Sequence, residues 1–165
     1  MSMYREHLAH CYQLVIASEP LLEQAIACLG ADGAEGELRA FYEKHLEDER
    51  HHAKWLLEDL DGYAGTLHFG MASVAGLGYY LVLHAHPVAL LGYMLALESM
   101  PISQEFIDGV VAECGEKATR TLRIHAEEDP KHAAELEEVA ARIPDEWKPL
   151  VVNTRRQVEL MLKGS

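Results

Sequence analysis

Cationic residues are scarce in this sequence of 165 residues, which has 14 lysines and arginines against 27 aspartates and glutamates. The formal net charge of -13 argues against a nucleic-acid-binding protein, because such binding needs clustered Lys and Arg to displace counterions from the phosphates. Any charged partner is therefore expected to be cationic.

Cysteines and long apolar runs are also lacking. The three cysteines include no C-x-x-C pair, and an odd number of isolated cysteines favours free thiols in a reducing compartment over a disulfide framework. No stretch reaches the ~18 apolar residues of a membrane span, and the first residues hold no uninterrupted apolar segment of a signal peptide. A soluble, cytoplasmic protein without a membrane partner is expected.

Leu, Ala and Glu outweigh the β-branched residues, and proline and glycine divide the chain into segments with helical spacing. Ser18-Glu19-Pro20 has the pattern of a helix cap followed by a first-turn proline. The predicted helices are 4–17, 20–28, 35–60, 67–86, 87–101, 104–142 with an interruption at Pro130, and one that follows Pro149 and ends near residue 163. We predict one all-α domain over residues 1–165, a bundle of about seven helices without a sheet.

Polar side chains fall on the core-facing stripes of these helices when each residue is given a rotation of about 100°. In the helix over 35–60, Glu49 lies at the centre of the apolar stripe, and His45 and His52 lie along one flank. Glu47 and His51 point the opposite way, to solvent. An acid and a histidine spaced Glu-x-x-His are thus expected inside the bundle.

Two more helices add acids and histidines to the predicted interior. Glu98 falls on the apolar face of the helix after Pro87, and His125, Asp129 and His132 fall on the midline of the following stripe if its helix continues through Pro130. Burying an isolated carboxylate costs several kcal/mol or forces it neutral, so these groups need a shared compensation.

Two metal ions would supply that compensation. Three carboxylates nearly balance two divalent cations, and a mixed nitrogen and oxygen set suits iron or manganese better than calcium or a thiolate zinc site. We therefore predict two iron ions, with manganese as the alternative. The predicted ligands are Glu49, His52, Glu98, His125, Asp129 and His132.

Each of these side chains also has a structural interpretation. Asp129 can cap a helix that begins at Pro130, a single buried histidine is commonly hydrogen-bonded within the core, and Glu98 can pair with Arg120 or Arg123. The combination of the spacings E-x-x-H and H-x-x-x-D-x-x-H favours the metal site over these separate explanations.

The chain resembles the heme-oxygenase-like diiron oxidases, also called iron-containing redox enzymes, over about residues 40–140. The matching segments are Glu49-x-x-His52 followed by Trp55-Leu-Leu-x-Asp-Leu60, the segment from His86 to Glu98, and His125-x-x-x-Asp129-x-x-His132. The resemblance implies a fold shared with thiaminase II and PQQ-synthesis protein C relatives, two irons on the six predicted ligands, and dioxygen activated for oxidative decarboxylation, carbon-carbon cleavage or N-oxygenation. The implied partners are a small organic substrate and dioxygen.

Other functions stay open on the sequence. One is a metal-free helical ligand-binding protein of the same fold, and another is a haem- or tetrapyrrole-binding protein with His7 or His10 as axial ligand. A ferritin-like site needs a second Glu-x-x-His pair and a hemerythrin-like site needs His-x-x-x-His, and the sequence contains neither. A homodimer also stays open.

Overall fold

Residues 3–164 are described by a computed structural model and form eight α-helices, one short 3-10 helix and no β-strand. The helices are α1 Met3–Cys28, α2 Gly33–Glu49, α3 His52–Asp59, α4 Phe69–His84, α5 Ala89–Glu98, α6 Gln104–Cys114, α7 Arg120–Arg142 and α8 Lys148–Lys163, with the 3-10 helix over Glu116–Thr119. The all-α prediction is confirmed. The number of helices is eight because three predicted boundaries differ.

The predicted break at Ser18-Glu19-Pro20 is wrong, because α1 continues through Pro20. Leu14 and Leu21, on either side of the proline, are both buried in the core, so packing of one continuous face outweighs the hydrogen bond that Pro20 cannot donate. Glu19 has another role. Its carboxylate accepts a hydrogen bond from the backbone N–H of His51 at 2.9 Å.

The helix predicted over 35–60 is divided at Arg50 and His51. His51 has a φ of 76° in the left-handed region and separates α2 from α3. Such a conformation is uncommon for a residue other than glycine, and the hydrogen bond from its N–H to Glu19 holds it in place. Glu49 therefore ends α2 and His52 begins α3.

The helix predicted from residue 104 to residue 142 is divided at Gly115, not at Pro130. Gly115 has a φ of 85° and ends α6, and the 3-10 helix leads into α7. Glycine adopts this conformation without steric cost. Since α7 runs through Pro130 without interruption, Asp129 lies inside a helix, and the alternative in which it caps one is wrong.

Two apolar clusters fill the bundle. The larger one includes Tyr42, which is fully buried and donates a hydrogen bond to the carbonyl oxygen of Pro87 at 3.0 Å. The smaller one joins α1, α3 and α6 through Leu8, Leu56 and Val110. The predicted site residues lie where these two clusters meet, around a cavity that both clusters line.

Helices α5 and α8 approach each other closely at Gly92. A Cβ atom on Gly92 would overlap the carbonyl oxygen of Val151 and lie 3.0 Å from the backbone nitrogen of Arg155. Glycine is required here because any side chain would force the two helices apart. This contact fixes α5, whose last residue is Glu98.

Helix α4 differs from the others in having no Asp, Glu, Lys or Arg among its 16 residues. It packs on α1, α5 and α8 through Val74, Ala75, Gly78 and Val82. Neither α4 nor any other helix within residues 3–164 combines the length and apolar character needed to cross a membrane.

Candidate metal site

Four polar side chains lie at or near helix ends in the centre of the bundle. Glu49 and His52 flank the break between α2 and α3, and both are buried. Glu98 is the last residue of α5 and is only 12 % exposed. His45, one turn before Glu49 on α2, is also buried. Three different helices thus deliver acids and imidazoles to the same interior region.

Helix α7 supplies three more groups from one face. His125, Asp129 and His132 follow each other at intervals of four and three residues, which aligns them along a helix. Their side chains are 21 %, 14 % and 11 % exposed. The structure therefore brings all six predicted ligands together, while their binding of metal stays a prediction.

The first group within this cluster consists of His45, Glu98 and His132. Each of the three offers a ligand atom within 4.8 Å of the others, and among residues 3–164 this is the only set of three or more such side chains so arranged. Glu98 lies between the two imidazoles, with Oε1 at 3.1 Å from His45 Nε2 and Oε2 at 3.5 Å from His132 Nδ1. We call these residues the triad.

The second group consists of Glu49, His52, His125 and Asp129. His125 Nδ1 and Asp129 Oδ1 are hydrogen-bonded at 2.9 Å, and His52 Nδ1 lies 3.5 Å from Glu49 Oε2. The rings of His52 and His125 meet edge to face with centroids 4.7 Å apart. This second group shares the interior with the triad, and we call it the quartet.

Two of the three acids in the cluster respond differently to burial. Burial raises the pKa of Glu98 and, together with the neighbouring charge of Glu49, outweighs the opposing contacts with His45 and His132, so the pKa is raised. For Glu49, burial also raises the pKa, but the contact with His52 and the charges of nearby imidazoles outweigh it, so the pKa is lowered.

Neighbouring acids also shift the pKa values of two histidines in the cluster. Burial lowers the pKa of His45, but the contact with Glu98 and its negative charge outweigh burial and raise the pKa. His125 follows the same balance, because its hydrogen bond to Asp129 and the charge of that carboxylate outweigh desolvation. The site is therefore a strongly coupled set of acids and imidazoles with little access to water.

Three buried atoms of the cluster have no hydrogen-bond partner within the described part of the chain. They are His52 Nδ1, Glu98 Oε2 and His125 Nε2. An unsatisfied buried polar atom costs about 1–3 kcal/mol, and native proteins contain few of them. Imidazole nitrogens and carboxylate oxygens are also the atoms that coordinate iron, so this donor set fits a divalent metal.

The sequence prediction missed His45. The residue was placed correctly along the inward flank of its helix, but the helical phase does not show which inward histidine meets an acid from another helix. Its signal was the spacing of four residues from Glu49, which puts both side chains on one face. The structure adds the decisive contact with Glu98.

The alternative pairing of Glu98 with an arginine is wrong. Arg120 pairs with Glu58 and Asp59, and Arg123 pairs with Glu116. These partners lie in α3 and in the 3-10 helix. Glu98 is left to the histidines of the triad.

A cavity of about 490 Å³ opens beside the cluster. His45, Glu49, Glu98, His125 and Asp129 form one part of its wall, and the rest is mainly apolar side chains of α1, α5 and α6, with no lysine or arginine among the lining residues. Its volume lies in the range of small-molecule sites. A small, mostly apolar molecule can therefore reach the cluster.

The far part of the cavity includes His7 and Cys11 of α1. His7 Nε2 lies 3.7 Å from Cys11 Sγ. Burial raises the pKa of the Cys11 thiol to about 11, so the sulfur is neutral and weakly nucleophilic near pH 7. This end of the cavity provides shape and polarity rather than a nucleophile.

Comparison with known proteins places the bundle in a fold but not in a sequence family. No family model matches the chain, and no curated protein matches it. A crystal structure of a domain of unknown function with a heme oxygenase-like fold, from Shewanella denitrificans, covers 96 % of this chain and 73 % of its own with a TM-score of 0.76 and 16 % identity. The fold is heme oxygenase-like. An identity of 16 % supports the fold alone.

The two histidines predicted as axial ligands in the haem alternative lie on α1. His7 is exposed at the cavity, and His10 Nε2 lies 3.5 Å from Glu6 with its ring 4.2 Å from that of His68. Haem iron takes one or two axial ligands from the protein, which would leave the three buried carboxylates without a role. The cluster therefore matches bare metal ions better than haem.

Proposed function

We propose that this protein is an iron-dependent oxidoreductase that activates dioxygen at a dinuclear metal centre to oxidise a small organic substrate. The observation that carries the proposal is a cluster of three carboxylates and four imidazoles, each at most 21 % exposed, beside a mainly apolar cavity. Burying so many ionisable groups is costly unless cations compensate them. The heme oxygenase-like fold supplies the helices that hold the groups together.

The two groups divide the ions between them. The triad would hold one ion through two histidines and one carboxylate, the donor set that non-haem iron oxygenases use with coordination positions left open. The quartet of Glu49, His52, His125 and Asp129 would hold the second. Its ligand atoms do not all lie within 4.8 Å of one another as those of the triad do, so these side chains would have to close around the ion. Bound iron would supply the electron-transfer chemistry with dioxygen that protein side chains lack.

The surrounding residues add one more charge near the cluster and shield it from water. Asp48 Oδ2 lies 4.0 Å from Nε2 of His132, on the ring nitrogen opposite to the one that faces Glu98. This separation is longer than a hydrogen bond, so Asp48 places a negative charge near the ring without fixing its orientation. Apolar side chains such as Leu90 and Met94 line the cavity and exclude water, which strengthens every electrostatic interaction inside.

The cavity limits the substrate to a small, largely apolar molecule. With no lysine or arginine in the wall, no fixed cation of the protein is available to bind an anionic group there. An anionic group of the substrate would instead be attracted by the metal ions, because two divalent cations exceed the three carboxylates by one positive charge. The substrate is therefore expected to place its polar end at the cluster and its apolar part along α1 and α5.

A metal-free ligand-binding protein is the second candidate, and the cavity itself favours it. In that case a ligand or water would have to satisfy His52 Nδ1, Glu98 Oε2 and His125 Nε2. Three carboxylates in a poorly solvated interior would also repel each other. Metal binding separates the two functions, because only the first requires it.

Dioxygen uptake tests the proposed function. Protein loaded anaerobically with iron(II) is expected to consume dioxygen faster than the Glu98→Ala variant treated with the same amount of iron. The variant lacks the carboxylate of the triad. Protein loaded with zinc is the matched control, since zinc has no redox chemistry. Equal uptake by the iron-loaded protein, the variant and the zinc-loaded protein would refute the proposal.

A further inference from the structure

The outer face of α4 carries an uncharged stripe that no other part of the described chain covers. Phe69, Ser73, Gly76, Tyr80 and Leu83 follow one another at intervals of three or four residues and all are exposed. Phe69 is 77 % exposed, Tyr80 62 % and Leu83 49 %. The stripe lies opposite the face that packs into the bundle through Val74, Gly78 and Val82, and we call it the α4 stripe.

Gly76, at the centre of the α4 stripe, has no explanation within one chain. Outside its own helix, no atom of the described residues lies within 4 Å of the position that a Cβ would take. Its φ is not in the left-handed region, so glycine is not needed for backbone conformation. Glycine in a helix interior costs roughly 0.5–1 kcal/mol relative to alanine. A close approach from outside would account for it.

The α4 stripe is complementary to itself. If a second α4 crosses it antiparallel with the twofold axis at Gly76, Phe69 faces the partner's Leu83 and Tyr80 faces the small residues near the partner's Ala72. Two large side chains, Phe69 and Leu83, then meet at each end of the contact. Nearer its centre, the large side chain of Tyr80 packs against small residues, as in ridges-into-grooves packing. A twofold interface needs such a self-complementary surface.

We infer that the α4 stripe is the interface through which two copies of this chain form a twofold dimer. The inference is independent of the proposed function. Two copies with a formal charge of -13 each repel one another, and an uncharged face allows the closest approach at the smallest electrostatic cost. An anionic membrane is a poorer occupant, because interfacial helices bind it with lysines and arginines and α4 has none.

The size of the exposed surface is compatible with a dimer. Together with Leu67, which is 63 % exposed just before α4, the large side chains of the stripe offer on the order of 400–500 Å² per copy. A standard interface buries ~800 Å² per partner, so the flanks of neighbouring helices must add a similar area. A patch of this size matches the largest apolar patch of a typical single chain, which is often functional.

Sedimentation velocity of the full chain tests the interface. The protein is expected to dimerise, and Tyr80→Glu is expected to raise the dissociation constant at least about tenfold by placing a charge in the contact. Leu160→Glu is the matched control, because Leu160 is an apolar residue of α8 with a similar exposure of 55 %. Added salt is expected to strengthen the dimer, since it screens the repulsion between two acidic chains.

A cross-linking variant checks the orientation without relying on Tyr80→Glu folding correctly. Helix axes that pack at 8–10 Å bring facing Cα atoms to roughly 4–5 Å, within the span of a disulfide. Gly76→Cys, with the exposed Cys28 replaced by Ser, is therefore expected to cross-link on mild oxidation, and Leu160→Cys in the same background is not. Three results would each overturn the inference: a monomer at about 100 µM, equal weakening of the dimer by Tyr80→Glu and Leu160→Glu, or a dimer that Gly76→Cys does not cross-link.

Discussion

Replacing Glu98 with alanine is expected to remove at least one metal ion per chain and to abolish dioxygen uptake. Glu98 is the only carboxylate of the triad and contacts both of its histidines. Two neutral imidazoles without that negative charge bind iron(II) far more weakly, because the carboxylate supplies both an oxygen ligand and charge compensation. Elemental analysis after anaerobic iron loading measures the loss.

The stability of the metal-free Glu98→Ala variant distinguishes a metal ligand from a structural residue. Removing the carboxylate relieves the cost of burying it but leaves His45 and His132 without their shared partner. The two effects oppose each other, so the melting temperature of the apoprotein should change little. Glu47→Ala, on the solvent face of α2, is the control and should retain full metal content. Equal metal content in the two variants would contradict the site.

Replacing Gly92 with alanine is expected to lower the free energy of unfolding by about 3 kcal/mol, near the upper end of overpacking effects. The added methyl group would overlap the carbonyl oxygen of Val151, and backbone atoms cannot move aside as a flexible side chain can. At 165 residues, this corresponds to a decrease in melting temperature of roughly 6–12 °C. Thermal and urea unfolding of the apoprotein provide the measurement.

Gly164→Ala serves as the control for Gly92→Ala. A Cβ on Gly164 would have its nearest neighbour at 3.7 Å, an ordinary contact. Its substitution should change the free energy of unfolding by no more than about 0.5 kcal/mol. If the two glycine variants unfold alike, α5 and α8 are not packed as closely as described here.

The helices, their inward faces and most of the breaks between them could be predicted from the sequence, but three boundaries could not. The helical repeat gives the side of the helix on which each residue lies. It therefore predicts that Glu49, Glu98 and the three polar residues of α7 face the interior. Whether a helix stops at a proline depends on tertiary packing, and α1 and α7 both continue through theirs. The break at His51 depends on Glu19, which lies 32 residues away.

The site shows the same limit. The motif spacings identified six side chains that the fold brings together, whereas the pairing of His45 with Glu98 depends on how α2 and α5 are placed. The pairing of Arg120 with Asp59 was likewise beyond the reach of local spacing. A sequence pattern specifies the face of a helix but not the neighbour that this face meets.

Anaerobic titration with iron(II), followed by removal of unbound metal and elemental analysis, tests the central claim most directly. The claim is that the triad and the quartet together form a dinuclear metal centre. Because the cluster offers three carboxylates and four imidazoles from four helices, we predict saturation at two iron ions per chain. Saturation below two ions per chain, or no retained iron, would contradict the account.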